Sequence, residues 1–110
     1  MIEETVRNYL LRTFSTVLLE QPAKKPASYI VLQKTGSGES NHIYSATIAI
    51  QSYGDNLYDA ATLNERVKSA MENITSLNEI CKVSLNSDYN FTDTTTKQYR
   101  YQAVFDIKHY

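Results

Sequence analysis

The sequence predicts an α+β fold: a four-stranded, mostly antiparallel sheet with two helices packed on one face, in the order α-β-β-α-β-β. Three observations lead there. Residues 42–53 and 95–109 alternate apolar and polar side chains with a period of two, as half-buried strands do. Residues 2–19 and 57–75 carry apolar side chains at helical spacing. Each of these elements has a single apolar face, so the economical packing sets both helices against one side of one sheet.

The first helix is expected over 2–19, with Ile2, Val6, Leu10, Phe14 and Val17 on its buried stripe. Glu3 and Glu4 fall in its first turn, where the helix dipole favours anions. Pro22 and Pro26 end it and frame a basic linker, "PAKKPAS". A strand is expected at 28–34, "SYIVLQK", from its β-branched content. "TGSGESN" (35–41) reads as a mobile loop because of Gly36 and Gly38. In the second strand, Tyr44, Ala46, Ile48 and Ile50 form the apolar face, and Ser45, Thr47, Ala49 and Gln51 form a small, polar one.

Gly54 breaks that strand. Asn56 followed by Asp59 has the spacing of a helix cap with an acid three places on. Ala60, Leu63, Val67, Ala70, Met71 and Ile74 mark the inward face of the second helix. The segment 79–86 alternates Cys81, Val83 and Leu85 against Lys82, Ser84 and Asn86, which predicts a third strand with Cys81 as a small core residue. "SDYNFTDTTT" is a turn-rich connection. The closing strand sets Tyr99, Tyr101, Ala103, Phe105 and Ile107 inward, and Arg100, Gln102, Val104, Asp106 and Lys108 outward.

With 110 residues the chain matches one domain, 1–110, able to bury a core without staples. A net charge of −1 supplies no global field toward nucleic acid or an anionic membrane. No apolar run approaches the roughly 20 residues that span a bilayer. The single cysteine has no intramolecular partner and fits a reducing compartment. The chain has nine tyrosines, three phenylalanines and no tryptophan. Such a set suits surfaces that become buried with their hydroxyls satisfied, and it also follows from strand propensity alone.

Catalytic constellations are not evident. His42 and His109 lack metal-ligand spacing, so neither a metal nor a cofactor is expected. "TGSGES" lacks the spacing and following helix of a phosphate loop. The acidic residues are not arranged as paired catalytic carboxylates. Arg100 and Lys108 alternate away from Tyr99 and Tyr101, so those residues do not build a base-stacking platform on one face. The expected outer face, with Ser45, Thr47, Ala49, Gln51, Ser84, Asn86, Gln102 and Val104, carries little charge for a solvated sheet. That points to contact with another subunit or to a plain solvated surface.

The whole pattern resembles the small tail-terminator and head–tail joining proteins of long-tailed bacteriophages and prophages. The likeness lies in "YIVLQKTGSG" as a strand entering a loop, in "IYSATIAIQSYGDNLYDAATLNERVKSAM" as a strand–"YG"–helix unit, and in "YRYQAVFDIKHY" as an alternating closing strand. It implies a non-enzymatic tail terminator: a homo-oligomeric ring, a hexamer in many members, that caps the tail tube and meets the head connector. It further implies assembly in the bacterial host cytoplasm and residence in the virion neck. Neither a membrane nor a specific nucleic-acid sequence is a partner on this reading. The expected self-assembly or partner surface comprises Gly36, Ser37, Gly38, Glu39, Thr47, Gln102, Val104 and Tyr110. A head-completion or connector protein of the same neck region is the nearest alternative, and a small cytosolic α+β enzyme is the alternative from another class.

Overall fold

The computed structural model describes residues 1–110 and is α+β, with two helices against one side of a five-stranded mixed sheet. The elements are α1 (Ile2–Leu10), β1 (Val17–Leu18), β2 (Tyr29–Ser40), β3 (Ile43–Gly54), α2 (Leu57–Met71), β4 (Ile80–Asn90) and β5 (Tyr99–His109), with a short 3-10 turn at Ile74–Ser76 after α2. The strand order is β1-β2-β3-β5-β4. The four long strands are antiparallel to their neighbours, as expected, whereas β1 pairs parallel with β2 through Val17–Ile30 and Leu18–Val31.

The first helix is therefore half the expected length, and the fifth strand is unforeseen. Thr13, Ser15, Thr16 and Val17 are all weak helix formers. The helix stops at Leu10, and a turn carries Phe14 into the core. Val17 and Leu18 then gain more by joining an open sheet edge. Later, α2 starts as the sequence predicts: the Asn56 side chain accepts from the Asp59 N–H at 2.8 Å, and its amide donates back to the Asp59 carboxylate at 3.2 Å. Gly54 lets the chain turn into this helix, because a Cβ there would meet the Ala60 nitrogen at 2.6 Å.

The expected loop at 35–41 is strand. β2 and β3 stay paired out to Ser40–Ile43, and the turn is only Asn41 and His42, with φ of 52° and 66°. Two left-handed residues match the twist of a tight hairpin, and asparagine tolerates that region well. Gly36 and Gly38 have ordinary extended φ values and lie opposite Thr47 and Ser45. Their side-chain-free positions thus come from strand pairing and not from a turn.

Three single-residue bulges interrupt the outer ladders. The extra residues are Thr35 in β2 and Cys81 and Asn86 in β4. The bulge at Cys81 corrects one expectation: it shifts the alternation, so Cys81 is exposed and not a core residue. Val83 is half-buried, and Leu85 is 49% exposed, because α2 lies over β3 and β5 and stops short of β4. β4 also runs on to Asn90, so the connection expected at 87–96 narrows to a turn closed by an Asp93–Gln98 bridge.

One apolar core lies between helices and sheet. Ile2, Val6 and Leu10 of α1 and Leu63, Val67 and Met71 of α2 meet Ile30, Leu32, Ala46, Ile48, Ile50, Ala103, Phe105 and Ile107. Each aliphatic side chain buried there contributes about 1.5–3 kcal/mol. The two helices are tied directly by the Tyr9 hydroxyl, which donates to the Ala70 carbonyl at 2.7 Å. Tyr99 and Tyr101, expected inside, are half-buried at the end of β5. Val67 is wholly enclosed. Val67→Asp should therefore cost about 4 kcal/mol and leave little folded protein, since it buries a carboxylate with no partner. Circular dichroism melting checks this, and an unchanged midpoint would show that this face of α2 is not inside.

Candidate functional site

The sheet face away from the helices holds the most ordered polar structure in the molecule. Cross-strand register lays it out in rows: Tyr29 and Tyr53 with Arg100; Val31, Gln51, Gln102 and Tyr89; Ala49, Val104 and Ser87; Gly36, Thr47, Asp106 and Ser84; Gly38, Ser45, Lys108 and Lys82. The first two rows are shielded in part by Leu18 and by the residues that follow β1, with Gln21 reaching over the stacked rings of Tyr29 and Tyr53 (centroids 4.4 Å apart, planes 4° from parallel).

A directed chain of hydrogen bonds crosses these rows. The Gln98 amide donates to the Tyr29 hydroxyl at 3.3 Å, and Tyr29 donates to Gln21 Oε1 at 3.3 Å. The Gln21 amide donates to the Tyr53 hydroxyl, which donates to Gln51 Oε1 at 2.9 Å. Gln51 Nε2 donates to Gln102 Oε1 at 2.9 Å, and Gln102 Nε2 donates to the Tyr89 hydroxyl. Every member accepts from one side and gives to the other, so the bonds polarise one another in the same sense. Gln51 and Gln102 are each only 8% exposed, which neutral amides tolerate because their polar atoms are matched. Tyr89, at 41% exposure, leaves the far end open with its hydroxyl proton unused.

Arg100 adds positive charge at one end. Its Nη1 donates to the Tyr53 hydroxyl at 3.2 Å, its Nε donates to the Phe91 carbonyl at 2.6 Å, and its guanidinium lies 4.5 Å from the Phe91 ring centroid. Burial, with Tyr53 alongside, pushes the Tyr29 phenol above its ordinary value. Tyr29 therefore holds its proton throughout the neutral range and can serve as a donor in the chain.

The predicted residues divide between surfaces. Gly36, Thr47, Gln102 and Val104 come together on this open face, with Thr47 Oγ1 donating to Asp106 Oδ1 at 3.0 Å and Val104 half-buried between Ala49 and Ser87. By register Ser37 and Glu39 belong to the other side, opposite Ala46 and Tyr44, and Gly38 lies at the rim opposite Ser45. Tyr110 is exposed beyond β5, where its N–H donates to the Glu79 carbonyl at 3.0 Å and its phenol is raised by a hydrogen bond with the Cys81 thiol. Sequence reasoning did not single out Tyr29, Tyr53, Tyr89, Gln21, Gln98 or Arg100. The available signal was the excess of tyrosine together with glutamines at outward positions 51 and 102.

The groups at the rims are paired or solvated. Lys68 bridges Asp88 and Glu65, and the hydrogen bond to Asp88 is the main cause of its raised pKa. Lys82 and Lys108 stand directly opposite each other, an unfavourable cross-strand pair. No group of three or more His, Cys, Asp or Glu side chains is placed to hold a metal ion. Searches against models of protein families and against curated proteins find no match to this chain.

Two measurements probe this face. Gln51→Leu and Gln102→Leu should each destabilise by about 1–3 kcal/mol, because each strands its neighbours' polar atoms. The double variant should cost at least about 0.5 kcal/mol less than their sum, and additive urea-denaturation values would mean the two amides are not coupled. In the β4–β5 turn, backbone N–H groups of Thr96 and Thr95 hold Asp93 below its ordinary value of 3.8. Its contribution is present above that value and is lost as pH falls through the lowered pKa. Asp93→Ala should thus lower the melting temperature at pH 7, with the deficit vanishing toward pH 2. A deficit that persists in acid would assign the effect to something other than the carboxylate.

Proposed function

We propose that this chain is a structural assembly protein of the tail-terminator kind. It forms a homo-oligomeric ring, a hexamer by the family resemblance, that caps a phage tail tube and presents its other side to the head connector. The observation that carries this reading is the open face itself. Neither helix covers it, yet its amides and tyrosines are held in a single hydrogen-bonded arrangement. Water could satisfy those groups individually, so ordering them in advance serves best where another protein surface is to dock with little further loss of freedom. The protruding end of the β2–β3 hairpin, with Ile43 and Tyr44 exposed, adds apolar contact area beyond the helices. On this reading binding energy comes from many modest contacts repeated around the ring.

The test is assembly. Negative-stain imaging of the purified protein should show rings of one size, and addition to polymerising tail-tube protein should arrest tube growth. Tubes as long as those in the untreated control would overturn the capping role. Binding to DNA-filled heads and not to tubes would move the protein to head completion.

A further inference from the structure

The sheet ends in two unpaired edges. Along its whole length β4 has a partner on one side only, β5. On the other flank, β1 covers β2 at Ile30 and Val31 alone, so the outer edge from Gln33 to Ser40 is free. Because the four long strands alternate in direction across the order β2-β3-β5-β4, β2 and β4 run oppositely. Copies related by rotation about an axis along the strands would therefore bring β4 of one against β2 of the next in antiparallel sense. Free backbone donors and acceptors on both make each a template for the other.

The geometry points to a second copy of this chain as the occupant, with Gln33–Ser40 of one subunit pairing with Lys82–Tyr89 of its neighbour. In this register Gln33 lies opposite Tyr89, Lys34 opposite Asp88, Ser37 opposite Leu85 and Ser40 opposite Lys82. This rests on the ring reading above and names the seam that joins its subunits. Three features select it. The free stretch on β2 begins where β1 ends and matches the length available on β4.

The second feature is the pair of bulges. Within the subunit, Lys34 and Ser37 face the helix side and Gly36 and Gly38 the open side, the extra residue being Thr35; on β4, Leu85 and Asp88 face the helix side and Ser84 and Ser87 the open side, the extra residue being Asn86. A partner strand without an extra residue could match the faces of β4 on one side of Asn86 only, since a single insertion inverts everything beyond it. β2 carries its own insertion at the neighbouring rung, so helix side meets helix side on both flanks. The third feature is charge. Lys34 makes no ion pair within its subunit and is placed beside Asp88. The seam also brings cover to Leu85 and Tyr89, the large apolar side chains exposed on β4.

Disulfide trapping tests the register. In a Cys81→Ser background, Ser37→Cys with Leu85→Cys and Ser40→Cys with Lys82→Cys sample the two kinds of antiparallel pair, both within reach of a disulfide. Each double variant, oxidised at concentrations where the parent assembles, should convert to covalent multimers that stop at one closed size, while each single variant stays monomeric on a denaturing gel. If rings form without inter-subunit links, the seam is wrong and the ring survives. If Leu85→Cys alone links into dimers, β4 pairs with its own copy and the seam is wrong. If light scattering finds only monomers at every concentration and nothing links, both the seam and the ring reading fall.

Discussion

The ladder between β3 and β5 is the constraint on which the rest of the structure depends. It runs from Tyr44–His109 to Gly54–Tyr99 without a bulge, joining strands far apart in sequence. An unbroken register fixes which side of every central residue faces the helices. Ile48 lies opposite Phe105 and Ile50 opposite Ala103, and these residues form the floor on which α1 and α2 rest. The same register brings Gln51 opposite Gln102 on the far side. Core and polar face are thus two consequences of one pairing, and a slip of one residue would exchange them.

On the polar side, a run of neutral hydrogen bonds crosses four strands without using a formal charge until Arg100. Such groups cost little to bury when each is matched, and they fix the relative placement of strands more tightly than apolar contacts of the same area. Tyr29 and Tyr53 supply both the apolar body of this end, through their stacking, and two of its hydroxyl relays. The tyrosine-rich composition acquires a local use here: phenylalanine would preserve the stack and cut the chain of donors.

How much was legible in the sequence follows from how local each signal is. The faces of β3 and β5 could be read directly, because their alternation is long and uninterrupted. The cap at Asn56 and Asp59 could be read because a cap is a four-residue event. Val17 and Leu18 were hidden, since two residues carry no period and their helical spacing with Leu10 and Phe14 was accidental. Cys81 and Leu85 misled because one inserted residue breaks the alternation that made them look internal. Gly36 and Gly38 suggested a loop, whereas the reversal uses Asn41 and His42. The glutamine pairing was half visible: both amides fell on the outward face, but their meeting depends on a register that no local pattern records.

The placement of the bulges has a consequence for how this chain can vary in length. In a strand, adding or removing one residue is a change of phase. In β3 and β5 it would turn half the hydrophobic floor toward water, so the centre of the sheet admits no such change. In β2 and β4 the phase has already been broken once, at Thr35 and Asn86, and the misfit is absorbed where no further strand follows. Insertions and deletions can therefore accumulate at the margins while the middle keeps its count. The parts of the molecule free to drift in length are then the parts that face its neighbours.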